Sequence, residues 1–172
     1  MMKYTLSILV ENQPGVLSKV AGLFSRRAFN IDSLAVGETE NPEISRITIV
    51  VDGDERIVEQ VEKQLNKIIP VIKVKNLSTA GRYVSCELCL IKVGCEAAQR
   101  PEVIEIATMM DSEIIDVGLK TLTLRFAGTA EKAETLFTLL QPYGVREIVR
   151  TGTIAMEKAM PLPVAAEKVA AP

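Results

Sequence analysis

Any chemistry in this chain has to be built without histidine, which is absent from all 172 residues. The usual general base near neutral pH and the commonest zinc ligand are therefore missing. Ser-His-Asp and Cys-His arrangements cannot be made within one chain. Three cysteines remain: Cys86, Cys89 and Cys95. Cys86-x-x-Cys89 has a spacing used in metal and redox sites, but no second Cys pair and no His completes it. Both fall in a strand-like run, Val84 to Val93, where a separation of three puts them on opposite faces. Buried structural cysteine is the expected role. No catalytic residue and no metal ligand is predicted. Neither a G-x-G-x-x-G nor a P-loop pattern occurs, so no cofactor is expected in this chain.

One turn has the character of a binding site. Asn12-x-x-Gly15-Val16-Leu17 joins a strand to a helix. A helix N-terminus presents free backbone N–H groups and a partial positive charge, which suit a carboxylate. Gly15 has no side chain to obstruct a ligand approaching those groups. Asn12 offers both a donor and an acceptor, so it can serve an ammonium as well as a carboxylate. A zwitterionic amino acid needs both. The competing reading is local: Asn12 caps the helix and Gly15 allows close packing.

The elements that must hold this turn repeat along the chain. Tyr4 to Val10 alternates as a strand, with Leu6, Ile8 and Val10 on one face and Thr5, Ser7 and Leu9 on the other. Asn12 or Gln13 supplies the cap region, and Pro14 fits the first helical turn. Val16, Leu17, Val20, Ala21 and Phe24 mark the apolar face of a helix ending near Ala28. Strands follow at Ile31 to Val36 and Ile44 to Val51, separated by a turn containing Asn41-Pro42. Asp52-Gly53-Asp54 starts a helix with Ile57, Val58, Val61, Leu65 and Ile68 at helical spacing. Pro70 closes it, and Val71 to Leu77 is a fourth strand. The order is βαββαβ.

After the small-residue linker Ser78-Thr79-Ala80-Gly81 the same order returns. Val84 to Val93 is a strand. Pro101 opens a helix with apolar Val103, Ile104, Ile106, Ala107 and Met110. Glu113 to Val117 and Thr121 to Ala127 form a hairpin. Thr129 caps a helix with Leu136, Phe137, Leu139 and Leu140 facing inward, and Val145 to Ile154 is the last strand. The predicted fold is α+β, with two tandem ferredoxin-like units over residues 1–78 and 82–158. Residues 159–172, rich in Ala and Pro, are predicted to be a flexible tail. Each unit has a modest core. Pairing with another copy would cover exposed edges, so a homodimer through the first unit is expected.

Hydrophobic residues make up 48% and charged residues 24%, as in an ordinary folded protein. Aromatics are only 4%, so Ile, Val and Leu must build the cores. Twenty basic and 22 acidic residues give a net charge of −2, with no basic excess to favour nucleic acid or an anionic membrane. No run of about 18 apolar residues is present to span a bilayer, and no signal-peptide pattern opens the chain. The expected compartment is the cytoplasm, or a plastid stroma had a transit peptide been removed.

The βαββαβ order with Glu11-Asn12-x-x-Gly15-Val16-Leu17 resembles an ACT domain, a module that often binds amino acids between two copies. Longer motifs narrow the resemblance. They are Gly22-Leu23-Phe24-Ser25-Arg26-Arg27, Phe29-Asn30-Ile31-Asp32-Ser33-Leu34-Ala35-Val36, Ser45-Arg46-Ile47-Thr48 and Glu62-Lys63-Gln64-Leu65. Together with Arg146-Glu147-Ile148-Val149-Arg150-Thr151-Gly152, they resemble the acetohydroxyacid (acetolactate) synthase small-subunit family from about Lys3 to Met156.

That resemblance implies a regulatory subunit in branched-chain amino acid biosynthesis. It would activate a catalytic large subunit, which would hold thiamine diphosphate, magnesium and FAD, and confer feedback inhibition by valine, leucine or isoleucine. The family's ligand contacts carry over to Asn12, Gly15, Val16 and Leu17 of one chain and to Asn30 and Ile31 of its partner. Ala28 departs from the family's usual Gly; in a left-handed turn Ala would cost about 1 kcal/mol. The second unit has Gly94 to Pro101 at the matching place without Asn-x-x-Gly, so no equivalent site is predicted there. Arg100, Arg146 and Arg150 are candidates for a phosphate or for the catalytic subunit, against plain surface charge. The alternative function is a stand-alone ACT-domain amino-acid sensor. A small enzyme using Asp or Glu pairs is disfavoured by the absence of His and of carboxylates clustered in a turn.

Overall fold

A computed structural model describes residues 2–27 and 29–159. Ala28 and the predicted tail beyond residue 159 lie outside the described residues. The first unit runs β1 (Met2–Glu11), α1 (Val16–Arg26), β2 (Ile31–Glu38), β3 (Ile44–Gly53), α2 (Glu55–Leu65) and β4 (Val71–Asn76). Its antiparallel sheet has the order β2-β3-β1-β4. The second unit runs β5 (Tyr83–Gly94), α4 (Arg100–Met109), β6 (Glu113–Val117), β7 (Thr121–Gly128), α5 (Ala130–Leu140), β8 (Val145–Arg150) and β9 (Ile154–Glu157). Its sheet order, β6-β7-β5-β8, repeats the first, and β9 pairs with the opening residues of β5. Two tandem ferredoxin-like units, as predicted, are the result.

Each unit buries one face of its sheet under two helices. Leu6, Ile8 and Val10 pack with Val20 and Phe24 of α1 and with Val58, Val61 and Leu65 of α2. Cys89, Ile91 and Val93 pack with Val103 of α4 and with Leu136 and Leu140 of α5. The predicted helical faces hold with exceptions at their margins: Leu17, Ile104 and Leu139 are exposed. Cap chemistry starts α2 and α5, where Asp54 accepts from Ile57 N–H and Thr129 accepts from Lys132 N–H.

Three local expectations need correction. Pro14 does not enter α1, which begins at Val16; Gly15 is the cap residue, in a left-handed conformation with φ 86°. Neither Asn12 nor Gln13 caps: Gly15 takes the cap position with no side-chain cap bond, and the Asn12 side chain is bonded to Glu38 and Pro42 instead. The linker is not a bare connector. Asn76 caps a short helical turn, α3 (Leu77–Ala80), which buries Leu77, and Ser78 Oγ accepts from Thr5 N–H at 2.9 Å. The last strand is broken. Gly152, with φ 82°, ends β8 and lets β9 cross to the start of β5.

That crossing has a consequence for the first unit. The second face of β1 carries Thr5 and Ser7, and both are buried. α3 and β9 lie against β1, so both faces of the first sheet's central strand are covered.

Candidate functional site

The turn after β1 is held by backbone bonds. Glu11 N–H donates to Pro70 carbonyl at 2.9 Å and Asn12 N–H to Glu43 carbonyl at 2.7 Å. Asn12 Nδ2 donates to Glu38 Oε1 at 3.2 Å and to Pro42 carbonyl at 2.9 Å. The Asn12 side chain is thus fixed at the far end of β2, with its carbonyl oxygen still open to a donor. A Cβ built on Gly15 would meet nothing within 4 Å.

Val16 N–H donates to Gln13 carbonyl at 3.3 Å, and the helix's own ladder begins with Lys19 N–H donating to Gly15 carbonyl at 3.1 Å. No side chain caps the helix. The N–H groups of Leu17 and Ser18 therefore have no acceptor among the described residues. Two adjacent free donors at a helix start are what a carboxylate binds. Ser18 was not singled out from sequence; its place as the third residue of the helix is the signal that would have found it. Val16 is buried in the core, so it contributes backbone rather than a contact surface, whereas Leu17 is exposed.

Asn30 and Ile31 stand elsewhere. Asn30 Nδ2 donates to Asp32 Oδ1 at 3.0 Å, and Lys3 pairs with Asp32 at 3.1 Å. They mark the start of β2, whereas Asn12 is bonded to its end at Glu38. Eight residues of strand separate the two groups by about 23 Å. Within one chain, Asn12 and Gly15 are not brought together with Asn30 and Ile31.

The strand between them is the outer edge of its sheet. An antiparallel β2–β2 pairing about a twofold axis would set the start of one β2 beside the end of the other. It would carry the partner copy's equivalents of Asn30 and Ile31 to the Asn12–Gly15 turn.

Two of the three candidate arginines of the second unit, Arg150 and Arg100, are occupied. Arg150 pairs with Glu87, which is buried, and with Glu134 at 2.8 Å, and its guanidinium lies 5.3 Å from the Phe137 ring centre. Burial opposes its charge, but the hydrogen bonds to Glu87 and Glu134 outweigh that and raise its pKa. Arg100 donates to the Gly118 and Leu119 carbonyls at 2.8 and 2.7 Å. Arg146 is exposed. Burial, followed by the nearby Glu87 carboxylate, pushes the Cys89 thiol up to about 11. Cys86, three residues earlier, faces the other way and is half-buried. Among the described residues, no group of three or more acidic or cysteine side chains is placed to hold a metal. No helix among them is long and apolar enough to cross a membrane.

Two cavities, of about 540 and 570 Å3, lie between the units, and neither is lined by Asn12, Gly15 or Asn30. The first is mainly apolar, between Ala35, Val36 and Arg46 of the first sheet and Val84, Ile154 and Met156 of the β5–β9 ribbon.

A repeated ferredoxin-like unit, with an open edge strand and a helix start carrying free donors, defines a tandem ACT-type chain. The profile of the AHAS small subunit-like ACT domain matches residues 6–73. The profile described as the small subunit of acetolactate synthase matches residues 86–159. The chain is 46% identical over 155 residues to a probable acetolactate synthase small subunit of Archaeoglobus fulgidus, covering 90% of this chain and 96% of the relative. It is 51% identical over 155 residues to the acetolactate synthase small subunit of Mycobacterium leprae, covering 90% and 91%. The crystal structure of the Thermotoga maritima acetolactate synthase small subunit superposes with a TM-score of 0.84 at 38% identity, covering 93% of this chain and 99% of that one. The chain belongs to the acetolactate synthase small-subunit family.

Proposed function

We propose that this chain is a non-catalytic regulatory subunit that binds a branched-chain amino acid between two copies of its first unit. It activates a catalytic acetolactate synthase subunit and imposes feedback inhibition on it. Thiamine diphosphate, magnesium and FAD belong, on this reading, to that partner. One observation carries the proposal: free donors at Leu17 and Ser18 beside one end of an open edge strand whose other end carries Asn30 and Ile31. The effector's carboxylate accepts from the two N–H groups. Its ammonium is met by the free Asn12 carbonyl oxygen, and its branched side chain lies against Leu17 and the partner copy's equivalent of Ile31.

Calorimetry on the purified chain with valine, leucine and isoleucine tests the reading. Saturable binding of at least one is expected, and no binding of any of the three overturns it. A stand-alone sensor is the rival role. It predicts no rise in synthase activity when the chain is added to the purified catalytic subunit.

A further inference from the structure

The segment Thr151-Gly152-Thr153, between β8 and β9, is anchored on both units. On the second unit, Thr151 N–H donates to Leu88 carbonyl at 3.0 Å, and Leu88 N–H donates to Thr151 Oγ1 at 3.1 Å. The preceding Arg150 is tied to buried Glu87 in β5 and to Glu134 in α5. On the first unit, Thr153 N–H donates to Ser33 Oγ of β2 at 2.7 Å, across 120 residues of sequence. Gly152 sits against the β2 backbone. A Cβ there would lie 2.8 Å from Ser33 Oγ and 3.2 Å from Leu34 carbonyl oxygen, and φ is 82°. Contact that tight leaves no slack between loop and strand.

β2 is also the strand that opens with Ile31, two residues before Ser33. Its pairing with β3 shifts register between Ile31 and Ser33. An irregularity of this kind bends a strand and re-aims its side chains. It stands between the residues proposed to meet an effector and the residue that holds the loop. A cavity of about 570 Å3, lined by Asp32, Ser33, Glu87, Glu134, Arg150 and Gly152 among others, gives the junction room to shift.

We propose that the β8–β9 loop, seated on β2 through Ser33 and Gly152, transmits effector occupancy from the first unit to the second. The inference rests on the effector reading given above. An amino acid ordering the start of β2 selects one setting of the irregular step, and Ser33 moves with it. Thr153 and Gly152 follow because one is hydrogen-bonded to β2 and the other is in backbone contact with it. The displacement then enters the second sheet through the Thr151–Leu88 pair and the Glu87–Arg150–Glu134 cluster. Ser33 and Gly152 are positioning residues in this scheme and touch no ligand. Coupling of this kind requires the effector to favour one of two settings, and this loop is the element whose setting differs.

The test uses the full chain as Ser33→Ala and Gly152→Ala, with the wild type beside them. Valine, leucine and isoleucine affinities are measured by calorimetry, activation and inhibition with the catalytic subunit, and amide exchange at residues 150–153 with and without effector. We expect both variants to bind within about threefold of wild type and to activate normally. Inhibition should need at least tenfold more effector, or vanish. Effector should protect the loop amides in wild type and not in Ser33→Ala. Unchanged inhibition in Ser33→Ala overturns the proposal, as does a loss of binding that tracks the loss of inhibition. Ser33→Ala decides alone if Gly152→Ala does not fold, since it removes only a hydroxyl. A wild-type chain that binds none of the three amino acids overturns the effector reading together with this one. Normal binding with unchanged inhibition in the variants overturns this one alone.

Discussion

At Gly15, backbone conformation and open space coincide. Its φ of 86° belongs to the left-handed region, and nothing stands within 4 Å of where a Cβ would be. The sequence shows a glycine at a strand-to-helix turn, but neither the sign of φ nor the two unpaired N–H groups beyond it. Gly15→Asp should cost about 1 kcal/mol, because Asp is among the residues that tolerate this conformation best. Its carboxylate would stand beside the Leu17 and Ser18 N–H groups and repel a ligand carboxylate. The variant should activate the catalytic subunit normally and lose inhibition across a valine titration. An unchanged titration curve would remove the ligand from this turn. The cysteines offer a second check at this scale. Cys89 is buried with its thiol held near 11, Cys95 is buried, and Cys86 is half-exposed. A neutral-pH alkylating reagent should label Cys86 alone in the native chain and all three in urea, as read by mass spectrometry. Because folding raises the Cys89 pKa, the folded state favours the protonated thiol. That contribution is complete below the ordinary value of 9.0 and is lost as pH rises towards 11. Cys89→Val should therefore show a shallower loss of stability over that window than wild type.

Among the elements, period-two and helical patterns located most strands and helices to within two residues, because each half buries one sheet face under two helices; α2 is an exception, ending at Leu65 where Ile68 and Pro70 predict a longer helix. What they missed arises between the halves. Alternation sets Thr5 and Ser7 on the face opposite Leu6 and Ile8, and that face is buried as well because α3 and β9 lie on β1. Alternation within one strand carries no information about a second layer supplied by a distant segment. Glu87 was legible in principle: it shares the inward phase of β5 with Cys89, Ile91 and Val93, where a carboxylate demands a cation. Its partner, Arg150, lies 63 residues away, where the sequence alone leaves a phosphate or a partner subunit as the candidate contact. Arg150→Met should destabilise the chain by about 2 kcal/mol, less than the ~3–5 for breaking a fully buried pair, because Arg150 remains a third exposed. Adding Glu87→Leu should restore part of the loss, since an apolar pair leaves no buried charge behind. Urea titration of the two variants checks this. A double variant less stable than Arg150→Met would show that Glu87 has a role outside the pair.

For the whole molecule, the question is whether the proposed effector site is built from one chain or from two. Asn12 and Gly15 stand at one end of β2, Asn30 and Ile31 at the other, about 23 Å apart. A single chain cannot close that distance without unravelling the strand. An antiparallel twofold pairing of β2 edges closes it twice, giving two equivalent sites and an eight-stranded sheet from two sheets of four. The chain should therefore be a dimer by light scattering. Val36→Lys, at an exposed apolar position on that edge, should weaken it at least tenfold. A complementation experiment separates the two architectures more sharply. Gly15→Asp and Asn30→Ala should each abolish effector binding as homodimers, because every site then contains one damaged half. When the two variants are mixed and allowed to exchange subunits, half of the dimers are mixed. In each of these, one site collects both lesions and the other collects none. Binding should reappear at about a quarter of the wild-type stoichiometry, with wild-type affinity. If the site lay within one chain, every chain in the mixture would carry one lesion in its own site, and no binding would return however long the exchange ran.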